Sequence, residues 1–161
     1  RNSRQVGEEH HLMEEIKTAD DGQFLETVSA WISREDHRVT VLANLSSLIY
    51  HYLDDVSWCG FYLAEEDDLY LGPFQGKPAC TLIPKGRGVC GSAYESGKTL
   101  IVDDVLSFPG HIACDSASRS EIVVPLKGFG VLDLDSTKEA RFTQREKVLL
   151  EKTMEILSSV L

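Results

Sequence analysis

The chain has 161 residues, 42% of them hydrophobic, and carries a formal net charge of -10 at pH 7. This size and apolar content suit one compact domain, and the negative charge argues against a nucleic-acid partner, because phosphates attract clustered Lys and Arg. The sequence contains no apolar run near the roughly 18 residues of a membrane span and no signal-peptide pattern near its start. We therefore expect a cytoplasmic protein without a membrane or nucleic-acid partner.

The first part of the chain is interpreted as an arm followed by two helices. Residues 1–21 are charged and nearly lack core residues, which indicates a mobile arm or a short docking helix ahead of a single domain over residues 22–161. Apolar residues recur at helical spacing between Phe24 and Ile32 and predict an amphipathic helix. The segment REDHRVTVLANLSSLIYHYL (34–53) predicts a second helix.

The middle of the chain changes to the periodicity of strands. VSWCGFYL and LYLGPF flank the acidic turn AEEDD and predict a hairpin, and CTLIP predicts a short strand. GRGVCGSAYESGK predicts a short helix from about Val89 to Ser96, which ends at Gly97. TLIVDDV, EIVVPL and GVLDLDS predict three further strands, with an irregular loop over residues 105–119 between the first two.

The last segment, TQREKVLLEKTMEILSSVL, predicts a closing helix in which Thr143 and Glu146 stand at capping-box spacing. Short strands joined largely by tight turns, with helices at both ends of the chain, predict an α+β fold with a mainly antiparallel sheet. The loop over residues 105–119 is unusually long for a compact domain, and such loops commonly carry function.

The chain has four cysteines, Cys59, Cys80, Cys90 and Cys114. They leave three interpretations open, namely inert buried thiols, a metal site and redox chemistry, with reduced thiols as the ordinary expectation where no secretory pattern is seen. His111 and Cys114 form H-x-x-C, but paired C-x-x-C ligands are absent, so the spacing is a weak indication of zinc. Cys59 is expected to be a buried strand residue.

A glycine-rich segment beside Cys90 has the letters of a nucleotide-binding loop without its context. Gly86, Gly88 and Gly91 satisfy G-x-G-x-x-G, but a dinucleotide site requires a βαβ unit with a full crossover helix. The helix predicted here is short and the surrounding strands look antiparallel, so we reject that function. The exposed N–H groups at the start of this helix would favour a thiolate at Cys90.

The acidic residues of the last two strands are the sharpest anomaly in the sequence. In GVLDLDS the two-residue period of a strand places Val131, Asp133 and Asp135 on one face. Two carboxylates on one face repel each other unless a cation lies between them or one of them keeps its proton. Glu121 begins the preceding strand and could lie across the ladder from the pair. Three converging carboxylates predict an ammonium receptor or an acid with a raised pKa, whereas a solvated outer face is the alternative.

Four segments together are similar to the free methionine-(R)-sulfoxide reductases, which are stand-alone GAF-domain enzymes. The segments are GPFQGKPAC (72–80), GRGVCGSAY (86–94), FPGHIACDSASRSEIVVP (108–125) and GVLDLDS (130–136). The resemblance runs from about residue 22 to the C-terminus, and the set of Cys80, Cys90 and Cys114 is more specific than a general GAF pattern. It implies a GAF fold with a six-stranded antiparallel sheet, helices on one side and often a homodimer.

For the cysteines, the resemblance implies a catalytic cycle. Cys114 matches the nucleophile, whose thiolate is expected to attack the sulfoxide sulfur while a carboxylic acid protonates the departing oxygen. Methionine then leaves, and the sulfenic acid on Cys114 condenses with Cys80 or Cys90 to form a disulfide. Thioredoxin is the expected reductant of that disulfide, and no metal or other cofactor is expected.

For the pocket, the resemblance implies a receptor for free methionine sulfoxide. Glu121, Asp133 and Asp135 match the acidic residues around the substrate's amino group and sulfoxide oxygen, and Trp58 and Tyr62 match aromatic residues that pack on its methylthio end. The alternative function is a ligand-sensing GAF domain without chemistry. Such a domain would need the pocket, but it would not need three pocket cysteines.

The chain departs from the family between VVPL and GVLDLDS. Members usually carry a longer polar hairpin there, whereas only Lys127, Gly128 and Phe129 remain. Either this hairpin is unusually tight or residues are missing at the join, and we expect the second, because three residues leave no comfortable turn between two strands of this length.

Overall fold

The computed structural model describes residues 15–32 and 37–161 of the chain. The elements in these ranges are, in chain order, α1 (Asp21–Trp31), α2 (Arg38–Tyr52), β1 (Trp58–Glu65), β2 (Asp68–Gln75), β3 (Leu82–Ile83), α3 (Gly88–Ser96), β4 (Leu100–Val102), β5 (Ser120–Leu126), β6 (Gly130–Ser136) and α4 (Gln144–Ser158). The loop between β4 and β5 contains one 3-10 turn (Val105–Ser107). The predicted order of helices and strands is confirmed.

The strands form a six-stranded antiparallel sheet in the order β3-β2-β1-β6-β5-β4. The acidic turn between β1 and β2 uses Glu66 and Asp67, whose φ angles of 51° and 75° are both positive. Two-residue hairpin turns require this backbone conformation because it matches the twist of the flanking strands. The sheet confirms the predicted α+β fold.

Three helices cover one face of the sheet. Phe24 of α1, Leu45 of α2 and Leu149 of α4 are buried there in one hydrophobic layer. The layer also contains Phe61 and Leu132, which point to this face from β1 and β6. Within residues 15–32 and 37–161, no helix has the length and apolar character that crossing a membrane requires.

The short helix α3 covers part of the opposite face. Its Val89 and Ala93 are buried in a second hydrophobic layer with Val123 of β5 and Val131 of β6. The expectation of helices on one side of the sheet is therefore wrong for α3. Because α3 has only nine residues, it leaves the ends of β5 and β6 to be covered by the loop that contains Cys114.

Polar caps set the ends of the helices. The predicted capping box of α4 is present, with Thr143 and Glu146 bonding each other's backbone N–H groups. A second box, formed by Asp20 and Gln23, begins α1. Gly97 ends α3 in the left-handed conformation, with φ of 70°, as predicted.

The predicted arm over residues 1–21 lies mostly outside the described residues. In its described part, Ile16 is buried in the layer of α1, α2 and α4. The second predicted helix begins at Arg38 in the structure, and residues 33–36 lie outside the described ranges. The division of the chain at residue 22 stays a prediction.

The connection between β5 and β6 closes with three residues. The N–H of Phe129 donates to the carbonyl oxygen of Leu126 at 3.0 Å, and Gly128 has the positive φ, 78°, that the third position of a type II turn needs. Leu126 pairs with Gly130, and the ladder continues from this pair. The expectation that residues are missing here rested on the lack of a turn, and that reason is wrong.

Candidate active site

Three carboxylates converge on the α3 face of the sheet, as the strand period predicted. Asp133 and Asp135 follow one another at two-residue spacing on β6, and Glu121 of β5 lies directly opposite Asp135 in the antiparallel ladder. Glu121 and Asp133 are 7% and 5% exposed. The alternative of a solvated outer face is therefore wrong, and we call Glu121, Asp133 and Asp135 the acidic cluster.

Burial changes the protonation of the acidic cluster. Removal from water, together with the neighbouring carboxylates, raises the pKa of Glu121 and that of Asp135 well above their ordinary values. Burial also raises the pKa of Asp133, although its interactions with the neighbouring side chains of Glu121 and Cys90 and the charge of His111 oppose the shift. The cluster therefore keeps protons at pH values where exposed carboxyl groups have lost them. It can donate a proton or receive a cation.

The long loop after β4 carries Cys114 to the wall of the cavity that the acidic cluster lines. Cys114 forms a disulfide with Cys80, which lies between β2 and β3, and their Cα atoms are 5.4 Å apart. Both residues are half-buried. The resemblance left Cys80 and Cys90 open as partners of Cys114, and in the structure the partner is Cys80.

Cys90 is a free thiol buried beneath the same cavity. Its Sγ lies 3.9 Å from Oε2 of Glu121. Burial, followed by the charges of Asp133 and Glu121, raises the pKa of Cys90 well above its ordinary value. The prediction that the start of α3 favours a thiolate at Cys90 is therefore wrong, because desolvation and nearby carboxylates outweigh the N–H groups of the helix.

Cys59 lies on the other face of the sheet. It is fully buried in the layer that α1, α2 and α4 cover, which confirms the prediction of a buried strand residue. Burial raises the pKa of its thiol well above the ordinary value. The side chain of Cys59 therefore lies on the opposite face of the sheet from the cavity, although the charges of Asp133 and Asp135 also raise its pKa.

Trp58 and Tyr62 line the cavity and hold the segment that leads to Cys80. The indole Nε1–H of Trp58 donates to the carbonyl oxygen of Lys77 at 3.0 Å, and the hydroxyl of Tyr62 donates to the carbonyl oxygen of Cys80 at 2.9 Å. The two rings stack with centroids 5.9 Å apart. Trp58 and Tyr62 thus place aromatic rings at the cavity, as the sequence indicated. They also hold the segment of Cys80 in position through hydrogen bonds, which the sequence did not indicate.

Several further residues of the cavity were not predicted from the sequence. Lys77, Arg87 and Ser118 are among them, and the cavity, which is partly open to solvent, has a volume of about 50 Å³. The hydroxyl oxygen of Ser118 is buried and has no hydrogen-bond partner among the described residues. No signal distinguishes Ser118 from the other serines of DSASRS, because its burial depends on how the loop folds over the sheet.

Known proteins of similar sequence identify the family. The GAF domain family matches residues 37–161. Over 137 residues the chain is 49% identical to the free methionine-R-sulfoxide reductase of Escherichia coli (strain K12), and the match covers 83% of each protein. The chain belongs to the free methionine-(R)-sulfoxide reductase family.

Solved structures of this family share the fold described above. The fRMsr of Staphylococcus aureus in its reduced form is 44% identical, with a TM-score of 0.84 and a match that covers 88% of this chain and 95% of that one. The free methionine-R-sulfoxide reductase from Neisseria meningitidis, solved in complex with its substrate, is 42% identical, with a TM-score of 0.83 and 87% coverage of both chains. The GAF fold implied by the resemblance is confirmed.

Proposed function

We propose that this protein reduces free methionine-(R)-sulfoxide to methionine. The observation that carries the proposal is the disulfide between Cys80 and Cys114 in the wall of a cavity that also contains the buried acidic cluster. A dithiol that closes to a disulfide supplies the two electrons that reduction of a sulfoxide consumes. The relative from Neisseria meningitidis, solved in complex with its substrate, supports the same substrate here.

The charges around the cavity suit a free amino acid. An ammonium group placed on the acidic cluster would form charge-assisted hydrogen bonds with buried carboxylates, and it would offset the burial and the mutual repulsion that otherwise keep them protonated. Lys77 and Arg87 are exposed cations at the same cavity and could receive the substrate's carboxylate. The rings of Trp58 and Tyr62 offer an apolar surface to the methylthio end.

The chemistry proceeds in two covalent steps. In the first, Cys114 as the thiolate attacks the sulfoxide sulfur while a carboxylic acid of the cluster protonates the oxygen. The oxygen passes to Cys114 as a sulfenic acid, and methionine is released. In the second, the thiol of Cys80 attacks the sulfenic sulfur, the Cys80–Cys114 bond forms and the hydroxyl group leaves as water. The sulfur atom of the substrate thus gains two electrons, which come from the oxidation of the two cysteines.

Recycling requires an external dithiol, which we propose to be thioredoxin. Its thiolate would attack the half-buried Cys80–Cys114 bond and restore both thiols by exchange. The two cysteines and an acid of the cluster supply all electrons and protons of the reaction, so we expect no metal or organic cofactor to be needed. From the resemblance we also expect a homodimer, which light scattering on the purified protein would test.

Thiol titration tests the proposed function directly. The reduced chain has four thiols, and addition of free methionine-(R)-sulfoxide without a reductant should remove two of them while one equivalent of methionine is formed. Peptide mapping should find Cys80 joined to Cys114, and addition of methionine as a control should remove no thiol. If the sulfoxide binds and the number of thiols does not change, the protein is a ligand-binding GAF domain and not a reductase.

A further inference from the structure

Cys90 is a buried sulfur that the proposed reaction does not use. The disulfide joins Cys80 to Cys114 and leaves Cys90 as a free thiol. Cys90 nevertheless lines the cavity, and its Sγ points to a carboxylate oxygen of Glu121 at 3.9 Å. A thiol beside buried carboxyl groups suggests a ligand that is held by side-chain sulfur and oxygen atoms at once.

The geometry around Cys90 matches the ligand set of a soft or borderline divalent cation. The Sγ of Cys90 and one carboxylate oxygen each of Glu121 and Asp133 all lie within 4.8 Å of one another, and all three residues are buried. Ligand atoms on a tetrahedral zinc ion lie about 3.3–3.6 Å apart, given Zn–S of about 2.3 Å and Zn–O of about 2.0–2.2 Å. A contraction of about 1 Å would therefore bring the three atoms onto one ion.

A second observation points to a missing ligand at the same place. Oδ1 of Asp133 is buried and has no hydrogen-bond partner within the part of the chain that the structure describes. Asp133 as a whole is only 5% exposed. A buried carboxylate oxygen without a partner costs roughly 1–3 kcal/mol or more, so a group that supplies positive charge at this oxygen would bind favourably.

We propose that Cys90, Glu121 and Asp133 form a binding site for Zn²⁺ or a similarly soft divalent cation inside the substrate cavity. The thiol of Cys90 gives up its proton to the buffer when the Zn–S bond forms, and water or another group of the cavity completes the coordination. This ligand set differs from the H-x-x-C pair of the sequence, in which Cys114 is consumed by the disulfide. The ion is a competitor for the cavity and not a cofactor of the reaction.

The chemistry of the ligands determines which cations the site accepts. Thiolate selects zinc and softer metals, whereas magnesium and calcium prefer six or more oxygen ligands and retain water. An ammonium group needs only the carboxylates, so the sulfur of Cys90 is the feature that distinguishes a metal from the substrate.

The test measures metal binding without turnover. The protein is first oxidised to the Cys80–Cys114 form, so that those two sulfurs are unavailable, and ZnCl2 is then titrated by calorimetry with elemental analysis after dialysis. We expect one ion per chain in the wild type and binding at least 100-fold weaker in Cys90→Ala. Cys59→Ala removes the other free thiol, on the opposite face, and should bind zinc as the wild type does.

Two further measurements keep the outcome decisive if Cys90→Ala is poorly folded. Asp133→Asn preserves the shape of the side chain and should weaken zinc binding at least 10-fold. Cd²⁺ in place of Zn²⁺ should produce sulfur-to-metal charge-transfer absorption that Cys59→Ala retains and Cys90→Ala loses. MgCl2 at the same concentration should not bind. Zinc binding that is absent in the wild type, or unchanged in both Cys90→Ala and Asp133→Asn, would overturn the proposed site.

The overlap with the substrate rests on the proposed function and is measured separately. Free methionine-(R)-sulfoxide added to the oxidised protein, which cannot turn over, should weaken zinc binding in proportion to its concentration. Zinc that binds through Cys90 and is not displaced by the sulfoxide would support the metal site and contradict the proposed substrate pocket. The two proposals can therefore fail independently.

Discussion

The hydroxyl group of Tyr62 donates a hydrogen bond of 2.9 Å to the backbone carbonyl oxygen of Cys80. Tyr62 is buried in the middle of β1, whereas Cys80 lies in the irregular segment between β2 and β3. The contact ties one half of the disulfide to the rigid sheet. It makes Tyr62 a positioning residue for the second covalent step of the proposed reaction.

Tyr62→Phe should slow closure of the disulfide and leave the first step unchanged. The ring remains in the cavity, but the segment of Cys80 loses a hydrogen bond worth about 1 kcal/mol, which corresponds to roughly a fivefold change in rate. Rapid-quench measurements on the reduced protein would compare the rate of methionine release with the rate at which the second thiol disappears.

Tyr52→Phe is the matched control for that variant. Its hydroxyl also makes partly buried hydrogen bonds, to Ala19 and Asp21, but in the layer of α1 and α2. If the two variants slow disulfide closure equally, or if Tyr62→Phe slows methionine release instead, the positioning role is wrong.

Cys80→Ser should separate the two covalent steps. Without the partner of Cys114, the variant should release about one methionine per chain and then stop, because thioredoxin has no disulfide to reduce. Cys90→Ser retains both disulfide partners, so its thiol titration and peptide map should still show the Cys80–Cys114 bond.

Methionine formed by Cys80→Ser would be measured after each of several additions of reduced thioredoxin. Continued turnover in that variant, together with a Cys90–Cys114 bond in the peptide map, would show that Cys90 and not Cys80 resolves the intermediate. Cys114→Ser is the control and should form no methionine.

Glu121→Gln should reduce the loss of folding stability that the wild type shows as pH rises. The raised pKa of Glu121 means that the folded chain binds this proton more tightly than the unfolded chain. From the ordinary carboxyl pKa up to the raised value, unfolding releases the proton, so stability falls as pH rises. Glutamine has no proton to release, and the decrease in unfolding free energy between pH 5 and pH 8 should shrink by about 1 kcal/mol or more, since one pKa unit is about 1.4 kcal/mol.

Urea unfolding of the oxidised protein at the two pH values measures this effect. Glu26→Gln, on the exposed side of α1, makes the same chemical change away from the cluster and should leave the difference as in the wild type. The same Glu121→Gln protein should lose most of its kcat/KM, because the acidic cluster then lacks one of its carboxylates. If the unfolding free energy of Glu121→Gln depends on pH as strongly as that of Glu26→Gln, the acidic cluster does not keep a proton at Glu121.

The acidic cluster also predicts a preference for the free amino acid. The free substrate brings an ammonium group to Glu121, Asp133 and Asp135, whereas a residue inside a peptide brings a neutral amide. Each buried carboxyl group left without a partner costs roughly 1–3 kcal/mol, so two such losses correspond to a preference of about a hundredfold or more. The measurement is kcat/KM for free methionine-(R)-sulfoxide against its N-acetylated amide. Similar values for the two would show that the cluster is not an ammonium receptor.

Local patterns in the sequence were sufficient for the elements and for one half of the site. The two-residue period of GVLDLDS placed Asp133 and Asp135 on one face of β6, and the structure confirms this. The capping box of Thr143 and Glu146 and the end of α3 at Gly97 are equally local, and both are confirmed. These features follow from the geometry of a single strand, helix or turn, which neighbouring residues dictate through sterics and hydrogen bonds.

Tertiary structure decided how residues distant in the chain meet and what surrounds them. Cys80 and Cys114 are separated by 34 positions, and no spacing rule prefers Cys80 over Cys90 as the partner. The state of Cys90 was predicted wrongly because the start of a helix is visible in the sequence, whereas burial against Glu121 and Asp133 is not. The pKa of a group depends on what removes it from water and which charges lie beside it, and only the packing of the loop and α3 over the sheet determines both.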